Sequence, residues 1–180
     1  KLNQDSLIIY GTSISQGGCA SRPGMDYGAI LGRLNNLNVI NLGFSGSCKV
    51  EPQVLDVINQ AIDEQNVKYI IFELESNSPS YAHMTERFSY YMEHIHNKDN
   101  IKIYLVSHYD EALPYVNDRI RKYRAGFKKV QKELCKKYNI NFIDGNKITK
   151  SAKLKVIKKT KFNKVKEQIK VRNLGGIVMT

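Results

Sequence analysis

Apolar residues in this chain cluster in short continuous runs, each closed by a polar turn. Between the runs, apolar positions recur at intervals of three and four. The runs at residues 7–10 (LIIY), 38–42 (NVINL), 68–74 (KYIIFEL), 101–106 (IKIYLV) and 141–143 predict five strands. Continuous rather than alternating hydrophobicity is the pattern of strands buried on both faces, as in parallel sheets. The intervening stretches predict helices over residues 26–34, 51–65, 84–98 and 115–138. In the last of these, Val116, Ile120, Tyr123, Phe127, Val130 and Leu134 form one amphipathic stripe. In the second, Val54, Leu55, Val57, Ile58, Ala61 and Ile62 supply the apolar face, and Glu51-Pro52 is a favourable start. Strand and helix alternate throughout, which predicts a parallel sheet covered by helices on both faces.

At 180 residues, with 42% hydrophobic and 25% charged residues, the chain is long enough for one domain with a substantial core. No run approaches the roughly 20 apolar residues of a membrane span, so none is expected. The polar start, Lys1 to Asp5, leads straight into a strand and does not read as a signal peptide. A secreted protein after processing has the same appearance, which leaves localisation open. The net charge of +11 suggests a nucleic-acid partner until it is divided along the chain. Ten of the 28 Lys/Arg but only Glu167 of the 17 acids fall in residues 150–180, leaving 18 basic against 16 acidic residues elsewhere. The body is nearly neutral, and the basic segment has no aromatic platform beyond Phe162, so no nucleic-acid partner is expected. The expected organisation is a domain over 1–149 followed by a basic segment over 150–180, the atypical end of the same domain. That segment reads as a basic helix, an added strand pair or a tail. Cys19, Cys48 and Cys135 are too few and too scattered for a disulfide framework or a zinc site. Cys135 lies on a helical apolar stripe and reads as core. Cys19 and Cys48 can approach one another beyond two strand ends, as a bridge or as two free thiols, and free thiols are the expectation.

Candidate chemistry collects in the turns. The first strand opens into Gly11-Thr12-Ser13-Ile14-Ser15-Gln16-Gly17-Gly18, the second into Gly43-Phe44-Ser45-Gly46, the third into Glu75-Ser76-Asn77-Ser78. Strands of a parallel sheet deliver such turns to one carboxyl edge, where open α/β sheets bind ligands. Taken alone, the first turn reads first as a tight connection whose serines and glycines satisfy backbone groups. Together, the three turns supply what acyl transfer needs: a hydroxyl nucleophile at Ser13, and oxyanion donors in the backbone N–H groups of Ser13 and Gly46 and the amide of Asn77. Glu73 and Glu75 flank the third strand's end, as substrate hydroxyl contacts or as a solvated turn.

These residues carry a resemblance to the SGNH hydrolases, the GDSL-like esterase/lipase superfamily. Gly11-Thr12-Ser13 resembles the first block, with Thr12 where aspartate is usual. Asn41-Leu42-Gly43-Phe44-Ser45-Gly46 resembles the second, whose last glycine is an oxyanion donor, and Asn77 stands where the third block has its asparagine. The run YGTSISQGGCASRPGMDYGAILGR is similar to a bacterial branch of the superfamily, and the likeness covers about residues 7–149. It implies a three-layer α/β/α sandwich around a central, mainly parallel five-stranded sheet of SGNH or flavodoxin-like type. It further implies a serine esterase that removes a short, acetyl-like group from a carbohydrate or other small ester, with no metal or organic cofactor.

The superfamily's last block, Asp-x-x-His, supplies the general base, and here it is missing. The four histidines, His83, His94, His96 and His108, all precede it. His83 falls in an expected loop, and His94 and His96 sit two apart on an expected helix, pointing to different faces. Asn173-Leu174-Gly175 resembles the segment that follows the usual histidine, which puts Lys170 at the histidine position and Glu167 at the aspartate position. His108, beyond the fourth strand, is the other substitute base or a structural histidine. The alternative function is a non-catalytic ligand-binding domain on the same scaffold.

Overall fold

The computed structural model describes residues 4–18, 20–108 and 117–151, and two further strands at 154–158 and 167–171; side chains are described as far as residue 148. Five strands, β1 (Ser6–Gly11), β2 (Asn38–Gly43), β3 (Val67–Glu73), β4 (Lys102–Val106) and β5 (Asn141–Ile143), form one sheet in the order β2-β1-β3-β4-β5. Every neighbouring pair is parallel. The described α-helices are α1 (Ser13–Gln16), α2 (Tyr27–Asn35), α3 (Pro52–Glu64), α4 (Tyr81–His94) and α5 (Asp118–Tyr138) between the strands, and α6 (Gly145–Ser151) after β5. The strands β6 (Leu154–Lys158) and β7 (Glu167–Val171) pair with each other, antiparallel, as a separate sheet. Of the three forms open to the basic segment, these residues take the strand pair.

The chain moves one way across the sheet from β1 to β2, then reverses. Right-handed crossovers therefore put α2 on one face and α3, α4 and α5 on the other. The sequence alternates to match. Ile9 meets α2 at Gly28, whereas Ile8 and Tyr10 join the core beneath α3–α5. That core is built around aromatics: Tyr10 stacks on Tyr91 at 5.9 Å, and Phe72 meets Phe88 edge-on at 5.3 Å. Cys135 is buried, as expected of a core position. Cys48 is buried and free, and Cys19 lies outside the described residues.

Several boundaries and faces differ from the sequence reading. Helix α4 starts three residues early, because Ser80 caps it by accepting from the His83 N–H. His83 is thus helical, not in a loop. The same helix stops at His94, so His94 and His96 do not share it. Val57 is 47% exposed and points away from the core, and Ile120 and Tyr123 are exposed although they continue the stripe of Phe127 and Leu134. Ile120 lies in the first turn of α5, and Tyr123 keeps a ring contact with Tyr81 at 5.5 Å. Val116 and Tyr115 lie outside the described residues.

Candidate active site

Strand register brings the site together. Gly11 at the end of β1 pairs with Gly43 on one side and Glu73 on the other, so three strands end level. The direction of winding reverses at β1, and the crevice between strands flanking such a switch is where doubly wound sheets bind ligands. Ser13 opens beyond β1, Gly46 beyond β2 and Asn77 beyond β3 on this edge.

What the sequence treats as a loop after β1 contains helix α1, with Ser13 as its first residue. The helix lies down directly on the strand ends, which only glycines permit. A Cβ at Gly11 would collide with the Ser15 hydroxyl, and one at Gly43 would collide with the Gln16 backbone. The turn is tied to both neighbouring strands. Asn41 Nδ2 donates to the Ser15 carbonyl at 2.8 Å, and the Ser45 N–H donates to Gln16 Oε1 at 2.8 Å. From the other side, Glu73 Oε2 accepts from the Thr12 N–H at 3.0 Å, the Thr12 hydroxyl at 2.6 Å and the Ser15 hydroxyl at 3.2 Å. Thr12, Ser15 and Glu73 are all buried. Burial in this site pushes the Glu73 carboxyl up from its ordinary value, opposed in part by these donors. Neither sequence reading of Glu73, as a substrate contact or as a solvated turn residue, describes this position. The Ser13 hydroxyl, between the two anchored residues, has no hydrogen-bond partner among the described residues.

The Gly46 turn is anchored from below. Gly46 is exposed with φ of 70°, and an added Cβ would meet nothing within 4 Å. Four residues on, Val50 also has a positive φ, 58°, which is rare for a β-branched residue. Its N–H donates to Tyr10 Oη at 3.0 Å, and that hydroxyl donates in turn to Glu51 Oε2 at 2.8 Å. Complete burial of Val50 and this bond hold the loop in place. On β3's side, Asn77 ends a 3-10 turn over Glu75–Asn77, and its Oδ1 is buried without a protein partner. No internal bond therefore spends the Asn77 carbonyl oxygen. Glu75 is buried too, accepting from the His108 N–H at 3.1 Å and from Gln131 Nε2 at 3.3 Å, so it is not a solvated turn residue either.

His108 lies beyond β4, buried, with Arg124 Nη1 donating to its Nδ1 at 2.6 Å. Burial first, and the guanidinium second, hold its pKa down at about 3. An arginine on Nδ1 leaves the ring proton on Nε2. A histidine base has the reverse arrangement, with a carboxylate on Nδ1–H and Nε2 open to accept. The other histidines lie elsewhere. His96 pairs with Asp63 at 3.0 Å where α3 and α4 end, and His94 stacks on Tyr90. His83 Nδ1 is buried without a partner. Lys170 lies on β7, opposite Lys155, and its side chain is outside the described ones. Among the described residues, no His/Cys/Asp/Glu group of three could hold a metal. No helix among them is long and apolar enough to cross a membrane.

Residues 4–174 match the model of a family described as GDSL-like Lipase/Acylhydrolase. Among solved structures, a protein of Bacteroides ovatus described as a GDSL-like lipase is 28% identical, with a TM-score of 0.65 over 79% of this chain and 42% of that one. This chain thus spans less than half the length of that protein. The acetyl xylan esterase AlAXEase is 17% identical, with a TM-score of 0.63 over 82% of this chain and 80% of that one. AlinE4, an SGNH-hydrolase family esterase, is 24% identical, with a TM-score of 0.56 over 79% and 77%. At these identities, the last two likenesses speak for the fold. Comparison with curated proteins finds no match.

Proposed function

The chain belongs to the GDSL-like lipase/acylhydrolase family, a family of hydrolases, and from that premise we propose that Ser13 is the nucleophile of a serine esterase. The proposed substrate is a short, acetyl-like ester of a carbohydrate or another small alcohol. The observation that carries the reading is the level ending of β1, β2 and β3, with the Ser13 hydroxyl unbonded between two anchored neighbours. In the proposed reaction Ser13 Oγ attacks the acyl carbonyl and gives its proton to a base. The N–H groups of Ser13 and Gly46 and the Asn77 amide bear the developing oxyanion. The alcohol leaves with a proton, and water then releases the acid from the acyl-serine, restoring the hydroxyl. No cofactor is invoked.

We assign His108 a structural role, because Arg124 occupies the nitrogen that an orienting carboxylate would hold. Lys170 remains the substitute to test, since a lysine acts as base only when its surroundings lower its pKa. The same Arg124–His108 bond favours a second reading: a ligand-binding domain that keeps the pocket without turnover.

Hydrolysis of p-nitrophenyl acetate by the wild-type protein, lost in Ser13→Ala, is the expected result. Loss in Lys170→Ala with retention in His108→Ala identifies the base. Equal background rates in wild type and Ser13→Ala defeat the esterase and favour the binding domain. The binding reading then predicts that an acetylated xylo-oligosaccharide binds both proteins equally.

A further inference from the structure

We propose that Glu73 is the positioning residue of the nucleophile turn: one carboxylate oxygen beneath it clamps Thr12 and Ser15, and so sets where Ser13 points. The inference rests on the reading of Ser13 as nucleophile.

Three donors converge on Oε2 of Glu73, two from Thr12 and one from Ser15. They come from the residue before Ser13 and the residue two after it. Ser15 Oγ also lies 2.7 Å from the Tyr27 hydroxyl. With Ser15 donating to Glu73, its oxygen accepts from Tyr27, and the chain of donors runs from α2 through α1 to β3. The clamp passes beneath Ser13 and leaves its hydroxyl unspent.

The choice of a carboxylate is what marks this as more than packing. Glu73 is 6% exposed, and no Lys, Arg or His pairs with it among the described residues. Burial opposes ionisation of Glu73 and raises its pKa, so its charged form costs stability that a neutral acceptor of the same shape would not. The Thr12 and Ser15 donors work the other way and favour the ionised form, whose hydrogen bonds are about twice as strong as neutral ones. A stiffer turn is the return on that cost. The groups that face Glu73 do not compete with it. Tyr27 on α2 is pushed up by burial, and Cys48, beyond β2, is pushed up to about 12, so neither ionises near neutral pH. Asp26 and Glu51 lie one group further away, facing Tyr27 and Cys48.

The test is Glu73→Gln, which keeps the shape and one acceptor oxygen and removes the charge. Labelling of Ser13 by a fluorophosphonate, followed by mass spectrometry, should slow by about 10- to 100-fold, the cost of a misplaced reacting group, while the melting temperature is unchanged or higher. In wild type, the Thr12 amide proton shift should follow the titration of Glu73, and in Glu73→Gln it should be flat with pH. Labelling at the wild-type rate, or a Thr12 shift indifferent to the substitution, overturns the proposal. Slower labelling accompanied by a lower melting temperature in equal proportion overturns it too, since ordinary structural loss would then suffice. A wild-type protein inert to the probe, with a Thr12 amide that still titrates, supports the clamp and overturns the nucleophile reading alone.

Discussion

Ser13 depends on neighbours that take no part in the proposed reaction. Thr12 and Ser15 are held from below, and the buried Glu73 that holds them has a thermodynamic signature. Its native pKa is raised above the ordinary 4.5, chiefly by burial. The stability this group contributes is therefore fullest below the unfolded value and declines as pH rises through the native one. Glu73→Gln lacks that titration, so its stability relative to wild type should grow with pH over this window. Parallel urea melts at several pH values read this directly, and a constant difference would contradict it. Gly46 makes a second prediction at the same scale. Its φ of 70° suits glycine, and a Cβ there meets no neighbour. Gly46→Ala should thus destabilise by about 1–2 kcal/mol, through backbone strain rather than collision.

At the scale of elements, the arrangement turns on how α1 and the Gly46 loop sit on the sheet. Gly11 and Gly43 are paired across β1 and β2; Gly11 admits the Ser15 side chain and Gly43 the backbone of α1. Gly11→Ala forces α1 off the strand ends, so Ser13 labelling should fall together with stability. Labelling at the wild-type rate in that variant would show that α1 need not lie down. The loop beyond β2 is fastened by Tyr10, which accepts from the strained Val50 N–H and donates to Glu51. Tyr10→Phe removes both bonds but keeps the ring against Tyr91 and Phe72. Leaving a buried N–H unsatisfied costs about 1–3 kcal/mol. The expected outcome is a loss of that size in chemical denaturation, with a larger fractional loss in kcat than change in KM, because Gly46 is one of the proposed oxyanion donors.

For the whole molecule, stability rests on the α3–α5 face of the sheet. Phe72, Phe88, Tyr10 and Tyr91 pack there in mutual ring contact and are completely buried. Phe88→Ala should cost about 3–5 kcal/mol by lost burial and a residual cavity. Because Tyr10 belongs to the same cluster and also fastens the Gly46 loop, reactivity at Ser13 should fall in Phe88→Ala even at temperatures where the protein stays folded. A variant that loses stability but keeps the full labelling rate would show that core and site are mechanically separate. On the opposite face, α2 meets the sheet through Gly28 and Gly32 against Ile9 and Val39.

The order of elements and the edge at which the polar turns emerge can be read from the chain without its fold. Those properties follow from local periodicity: a buried strand writes a continuous apolar run and a half-buried helix writes a stripe, whatever their neighbours. The sequence reading errs where local pattern stops being informative. Val57 and Ile120 are apolar at helical positions yet exposed, and the Ser80 cap moves the start of α4. Tertiary structure alone decided that Glu73 is a buried clamp and that Arg124 takes the inner nitrogen of His108. The signal for Glu73 was present, an acid between Phe72 and Leu74 at the end of the most hydrophobic strand, but not its meaning. Thr12 and Glu73 lie 61 residues apart, and only the parallel register of β1 and β3 makes them neighbours. A charge at the end of a run reads as a solvated turn until the layer that buries it is known, because burial is a property of the packed layers and not of the segment.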